Sequence, residues 1–382
     1  MQIYFDNAAT SSPKPAAVQE EVLRSLRDYN ANPGRSGHEA ALKAARCVYS
    51  ARAALASLLD AEEGSCVALQ FNCTDALNLA IKGILRRGDH VVTSFLEHNS
   101  VLRPLSGLSS RGEIALTMVA PRPDGMLDPS DVRKALRPST RLIVITHASN
   151  VTGAIQPVAA IGALAKEKGI PYLIDGAQAL GALPVDVSRL GCSMYAFPGH
   201  KGLLGPQGTG GLYIAPGLVL RPVREGGTGT ASDSMLQPED PPERYESGTL
   251  NLPGIAGLGA GVEYVRAHQS QIMMHERELT TALYEGLRAM DGVTLYCPQE
   301  ESARAGIVSF NLGDLGSSEV ADAYNRRGIA VRGGLHCAPG THRCLGTLRR
   351  GAVRASIGHA NSFEEVEAFL HATREILRGG DA

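Results

Sequence analysis

Two stretches of the chain hold residue types that could do chemistry. In the first, an apolar run, Pro171-Tyr172-Leu173-Ile174, ends in Asp175-Gly176-Ala177-Gln178. Further on, Gly199-His200-Lys201 opens a glycine-rich run that closes at Gly211. An acid at the end of a buried strand and a lysine framed by glycines form the pair that pyridoxal phosphate (PLP) requires. The carboxylate faces the ring nitrogen, and the amine carries the aldehyde as a Schiff base. Gln178 could reach the phenolic oxygen of the ring from the same turn. Taken singly, each residue is more often a surface or cap residue, and the glycines alone can make a plain turn.

The second stretch is Arg332-Gly333-Gly334-Leu335-His336-Cys337-Ala338-Pro339, extended by His342 and Cys344. Three readings compete there. A zinc site is disfavoured because adjacent ligands at 336 and 337 rarely share one tetrahedral ion. A flexible glycine loop with an incidental thiol is the structural alternative. In the third reading Cys337 is a nucleophile, with His336 and Arg332 favouring its thiolate and the Gly-Gly pair letting it swing onto a cofactor-bound substrate. Arg354, inside an apolar strand pattern, could take a substrate carboxylate bidentately or close an internal salt bridge. Thr74, near the start of a helix, offers a hydroxyl beside free backbone N–H groups, which suits an anion and equally a plain cap. No Walker sequence occurs, and no G-x-G-x-x-G follows a strand, so a nucleotide site has no support.

Hydrophobic periodicity supplies the elements that must position these residues. Strands are expected at 67–71, 90–94, 114–119, 141–146 and 171–174. Between them lie helices at 76–85, up to 136 with Asp128 as cap and Pro129 first, and at 159–168. Continuous apolar strands separated by helices predict an α/β fold with a largely parallel sheet covered on both faces. Ligands sit beyond the carboxyl ends of such strands, where Thr74, His98, Asn150 and Asp175 all fall. Upstream, a short strand and a small-residue turn read as an N-terminal arm, and helices at 15–29 and 39–59 are separated by 32–38. Downstream, a strand at 211–214 leads into a loop over 225–246, long enough to imply function or a subunit contact. A long helix over 254–290 bridges to a second lobe. That lobe has strands at 293–295, 306–311, 330–332 and 352–356, and a helix over 362–377 that opens with a capping box, Ser362 to Glu365. The expected division is a large domain, 15–255, and a smaller α+β domain from 1–14 and 256–382.

The 382 residues carry a net charge of −2, so neither nucleic acid nor an anionic membrane is expected as partner. No 18-residue apolar run or secretory start is evident, and the expected location is the cytoplasm. Seven cysteines without a Cys-x-x-Cys pair argue against a disulfide framework or a zinc ribbon, and no metal is expected.

In order along the whole chain stand Asp6-Asn7-Ala8-Ala9, Thr74-Asp75-Ala76-Leu77-Asn78, Glu97-His98-Asn99, His147-Ala148-Ser149-Asn150-Val151, Asp175-Gly176-Ala177-Gln178, Gly199-His200-Lys201, Glu246-Ser247-Gly248-Thr249, Arg332 to Cys337, and Arg354. This series resembles the class V aminotransferase family of fold-type I PLP enzymes, and within it the cysteine desulfurases. The compact Arg332-to-Cys337 loop looks like their second group, which also holds selenocysteine lyases. The resemblance implies a mostly parallel seven-stranded sheet plus the smaller C-terminal domain, PLP as cofactor, and a homodimer. It implies Lys201 as the Schiff-base lysine, Asp175 as partner of the pyridine nitrogen, Gln178 on the ring oxygen with Asn150 near it, and His98 over the ring face. Cys73, Thr74 and His200 would hold the phosphate, with Thr249 reaching it from the other subunit. Arg354, with Asn150 and Arg332, would hold the carboxylate of L-cysteine or L-selenocysteine. Catalysis would fall to Lys201, His98 and Cys337. Sulfur would pass to Cys337 as a persulfide, for delivery to an acceptor protein in sulfur metabolism such as iron–sulfur cluster assembly. The sequence departs from the family pattern at Pro198, where a Ser or Thr is usual, and at Asn72-Cys73-Thr74, where Gly-Thr-Thr is common. The basic stretch 341–350 bears on sulfur delivery. The rival readings are a selenocysteine lyase, another C–S lyase or an epimerase that does not need Cys337, and a non-enzymatic thiol or metal scaffold.

Overall fold

The computed structural model describes residues 3–33, 37–62 and 64–379. The chain opens with β1 (Ile3–Tyr4), α1 (Ala16–Asp28) and α2 (Glu39–Leu58). It alternates through β2 (Cys66–Gln70), α3 (Cys73–Ile84), β3 (His90–Ser94), α4 (Asn99–Ser110), β4 (Ala115–Val119) and α5 (Pro129–Ala135). Next come β5 (Thr140–Thr146), α6 (Val158–Lys168), β6 (Tyr172–Asp175), α7 (Val187–Leu190), β7 (Met194–Pro198) and β8 (Gly210–Ile214). The remainder is α8 (Leu252–Arg288), β9 (Val293–Leu295), β10 (Ile307–Leu312), α9 (Ser317–Arg326), β11 (Ile329–Ala330), β12 (Arg332–Gly334), α10 (Pro339–Cys344), β13 (Ala352–Ser356) and α11 (Phe363–Leu377).

Seven strands form the central sheet in the order β2-β8-β7-β6-β5-β3-β4. Strands β7, β6, β5, β3 and β4 run parallel, while β8 is antiparallel to both its neighbours. Alternate side chains along each strand feed separate cores on the two faces. Val92, Ile143, Ile145, Tyr172, Ile174, Tyr195 and Phe197 pack on one side, and Val91, Leu142, Val144, Leu173, Met194 and Ala196 on the other. Period-2 alternation with both faces apolar is why these strands read as continuous hydrophobic runs. A four-stranded antiparallel sheet, β12-β13-β10-β9, builds a third core with α9, α11 and the last turns of α8. Phe5, brought in by β1, sits in that third core beside Phe369, their rings 5.3 Å apart and edge to face. Helix α8 joins the two bodies: Ile255, Leu258 and Val262 pack under the central sheet, while Leu279, Leu283 and Leu287 enter the third core.

Two expectations are corrected. The strand expected at 330–332 is two strands in different sheets: β11 pairs in parallel with β1, and β12 pairs with β13. A short apolar run shows β-propensity but not which neighbour each half will meet. Helix α3 begins at Cys73, not at 76, because the Asn72 side chain accepts a hydrogen bond from Asp75 N at 2.9 Å and caps it. The break expected at 32–38 lies partly outside the described residues. The loop over 225–246 contains a single 3₁₀ turn, Glu243–Tyr245, and leaves Met235 and Leu236 exposed. Among the described residues, no helix is long and apolar enough to cross a membrane.

Candidate active site

A cavity of about 220 Å³ lies beyond the carboxyl ends of β5, β6 and β7. Its floor is Asp175, the last residue of β6, held between Thr146 of β5 and Ala196 of β7 and only 2% exposed. Its Oδ1 accepts from Ala177 N at 3.0 Å and lies 3.6 Å from the Cys73 thiol. Among the described residues it has no ion-pair partner, so a buried carboxylate here calls for a positive group in the cavity. Gly176 follows it because a Cβ there would stand 2.0 Å from the Tyr195 ring. Lys201 lines the same cavity; burial, then the nearby Arg354 charge, pull its amine down from 10.5 to about 8.

One end of the cavity is suited to an anion. Thr74 stands in the first turn of α3, whose leading N–H groups have no intrahelical partner. Its hydroxyl shares a 2.7 Å hydrogen bond with Ser100 Oγ. Thr74 is therefore not the helix cap, the alternative its sequence position left open. His200 contributes a buried Nδ1 without a hydrogen-bond partner, and burial holds its ring neutral, with its pKa pushed down to about 4. The His200 carbonyl meanwhile accepts from Ser11 N at 3.0 Å and Lys14 Nζ at 2.8 Å, which ties the N-terminal arm across the site. Cys73 and Pro198 also line the cavity, Pro198 with an apolar ring where the family pattern has a hydroxyl.

The walls come from other strand ends and from the arm. His98 caps α4, its Nδ1 accepting from Ser100 N at 3.1 Å, and burial lowers its pKa. Gln178 donates to Ala8 O at 3.1 Å. Arg354, 2% exposed on β13, donates Nη2–H to Asp6 Oδ1 and Nη1–H to Asn150 O, each at 2.9 Å. Of the two readings of Arg354, the internal salt bridge is the one the structure forms. One end closes a salt bridge, while its buried Nε has no partner.

The mouth is the loop after β12. His336 and Cys337 both adopt left-handed backbone, with φ of +49° and +56°. Such conformations are strained for side chains larger than glycine and gather at functional sites. The loop is pinned from both flanks: Asn150 Nδ2 donates to His336 O at 2.6 Å, and Asn99 N donates to Cys337 O at 2.7 Å. Cys337 is exposed and faces the cavity. The expected charge on His336 is corrected. Its ring is buried, donates Nε2–H to Ala352 O at 3.0 Å, and is pushed down to about 3 by desolvation, so it is neutral at pH 7. Arg332, which is exposed, and Arg354 line the same cavity as Cys337.

The cavity thus gathers Cys73, Thr74, His98, Asn150, Asp175, Gln178, His200, Lys201, Arg332, Cys337 and Arg354. Thr249 is not among them; it lines a separate hollow beside Gly208 and Asn251. Among the described residues, no three His, Cys, Asp or Glu side chains are grouped as for a metal. Three residues around the site were given no role from sequence. Ser100 links Thr74 to His98, and Glu97 is a buried carboxyl bonded to Ser94 Oγ and Thr146 N. Desolvation raises Glu97 to about 8 and keeps it protonated at pH 7. The third is Asp6, which meets Arg354 across 348 positions of sequence, a distance no local signal spans.

An acid and a lysine on the ends of a doubly covered parallel sheet, with an arginine and a thiol brought in from a second sheet, define a class of enzymes by architecture and site together. The aminotransferase class-V family model matches residues 3–369, and the chain belongs to that family. It is 36% identical over 387 residues to a probable cysteine desulfurase of Methanothermobacter thermautotrophicus, spanning 99% of this chain and 95% of the relative. The apo structure of a cysteine desulfurase from Thermococcus onnurineus superposes with a TM-score of 0.93 at 35% identity, covering 99% of this chain and 95% of that one. A cysteine desulfurase from Escherichia coli, solved in an S-sulfonic acid form, gives 0.88 at 26% identity, with coverage of 99% and 95%.

Proposed function

We propose that this chain is a PLP-dependent cysteine desulfurase that converts L-cysteine to L-alanine and leaves the sulfur on Cys337. The observation that carries the reading is an exposed thiol, Cys337, at the mouth of the cavity that also holds Lys201, Asp175 and Arg354. Its family and the names of its relatives support the same activity.

The residues fit PLP. Asp175 is a buried acid that has no ion pair among the described residues, which suits a pyridine nitrogen that must stay protonated. The start of α3, the Thr74 hydroxyl and the unpartnered His200 Nδ1 suit the phosphate. Bound there, PLP would supply an electron sink for the substrate α-carbon. Lys201, with its amine near 8, takes the α-proton and returns it. Arg354 offers its unpartnered Nε to the substrate carboxylate, and Asn150 and Arg332 flank it. His98 and Gln178, which line the same cavity, would help to hold the ring. The Cys337 thiolate attacks the substrate sulfur: an S–S bond forms, the Cβ–S bond breaks, and the electron pair passes to the carbon skeleton, which is protonated to alanine.

A homodimer in which Thr249 completes the partner's phosphate site belongs to the same proposal. So do a large domain of 15–255 with a smaller one of 1–14 and 256–382, and a cytoplasmic location. Phe5 in the third core and seven cysteines all free of disulfides support the last two.

The purified protein, given L-cysteine and a reducing thiol, is expected to release alanine and sulfide in equal amounts. L-selenocysteine run in parallel measures the preference between the two. Full alanine production by a Cys337→Ala variant would overturn the persulfide step.

A further inference from the structure

Continuous with the cavity at Thr74, His98, Ser100 and Cys337, a groove of about 480 Å³ runs between α3 and α4. Its walls repeat at helical spacing: Thr74, Asn78 and Lys82 on α3, Arg103 on α4, and Arg111 just past the end of α4. Among the described residues, no Asp or Glu lines it. Arg111 is partly neutralised by Glu113 at 2.5 Å, whereas the exposed Lys82 and Arg103 have no ion pair among the described residues. The chain as a whole is slightly acidic, at −2, so this positive field is local to the mouth. A groove that only admitted a small zwitterionic substrate would need no row of cations leading away from the thiol.

Resting on the desulfurase reading, we infer that this groove docks a sulfur-accepting protein through an acidic segment that carries its receiving cysteine. The acceptor thiolate attacks the outer sulfur of the Cys337 persulfide. A new S–S bond forms on the acceptor, the bond to Cys337 Sγ breaks, and Cys337 leaves as a thiolate, so no oxidant or reductant is consumed. The fixed charges at Lys82 and Arg103 steer the acidic segment along the groove and set its register against Cys337.

The test uses the holoenzyme, L-cysteine, and three synthetic peptides of equal length that each carry one cysteine in acidic, neutral or basic surroundings. Dithiothreitol serves as the uncharged control. Mass spectrometry of persulfidated peptide is expected to show the acidic peptide reacting on the order of 10-fold faster than the neutral one at low salt. The preference should vanish by about 0.5 M salt. A K82E/R103E variant should reverse the preference and keep the dithiothreitol-supported rate of alanine formation; K82Q/R103Q, which only removes the charge, should abolish the preference. Equal rates for the three peptides, or a preference that survives charge reversal, would overturn the groove. Absence of alanine with dithiothreitol would instead strike the desulfurase reading. In that case, fluorescence anisotropy of labelled acidic peptide still reads docking without turnover: tighter binding than the basic peptide supports the groove, and equal binding overturns it.

Discussion

The floor of the cavity and its mouth are built from different materials. Asp175 ends a central strand hydrogen-bonded on both sides, and Gly176 behind it leaves no room for even a methyl group. Cys337 stands in the loop three residues beyond a three-residue strand, is exposed, and adopts left-handed backbone beside another residue in the same strained region. A Cβ on Gly334 would meet nothing within 4 Å. The floor is preorganised, as a group that must hold a cofactor in one orientation should be. At the mouth Cys337 is exposed and its loop is pinned by hydrogen bonds from Asn150 and Asn99, which suits a thiol that must first reach inward to substrate and then outward to an acceptor.

That contrast can be broken most severely at its two ends. Lys201→Ala should lower alanine formation by about 10²–10⁴-fold, the range for losing a positioned acid–base group. Cys337→Ala should lose the persulfide and yet keep the visible absorption of bound PLP, because nothing in the floor has changed. Loss of that absorption in Cys337→Ala would mean that floor and mouth are not independent.

A smaller effect is expected where the two regions are linked. Asp6 orients Arg354 through a charge-assisted bond at 2.9 Å. Asp6→Asn should raise KM for L-cysteine by about 10–100-fold with kcat little changed, as the loss of one bond to a charged group, about 1.5–3 kcal/mol, implies. A fall in KM would show instead that Asp6 competes with the substrate carboxylate for Arg354.

The smallest test is of electrostatics. Burial first, and the Arg354 charge second, depress Lys201 to about 8. Its neutral amine is therefore scarce below that pH and plentiful above it, well before the 10.5 of an ordinary lysine. The rate at which the cofactor-free protein captures added PLP, followed by absorbance, should rise with pH through about 8. Arg354→Gln should move that midpoint upward, and an unmoved midpoint would remove Arg354 as a cause.

Much of the floor was legible in the sequence. Buried parallel strands announce themselves as continuous apolar runs, and the ends of such strands locate Thr74, His98, Asn150 and Asp175 without knowledge of their packing. The mouth was legible in composition but not in electrostatics. His336 looked like a source of positive charge for Cys337 because the two are neighbours in sequence, but burial makes it neutral. The start of α3 was misplaced by three residues because Asn72, outside the periodic pattern, caps the helix.

Residue type and periodicity by themselves determined a mostly parallel α/β sheet, the strand-end cluster, and the order of motifs that marks the family, since these depend on local chemistry repeated along the chain. Only the tertiary structure decided how the charges are shared. Asp6 occupies one end of Arg354, Asp175 has no ion pair among the described residues, His336 and His200 are neutral, and Lys82 and Arg103 open a basic path from Cys337. The physical reason is that desolvation and ion pairing depend on what surrounds a side chain in space, and here the partners come from opposite ends of the chain.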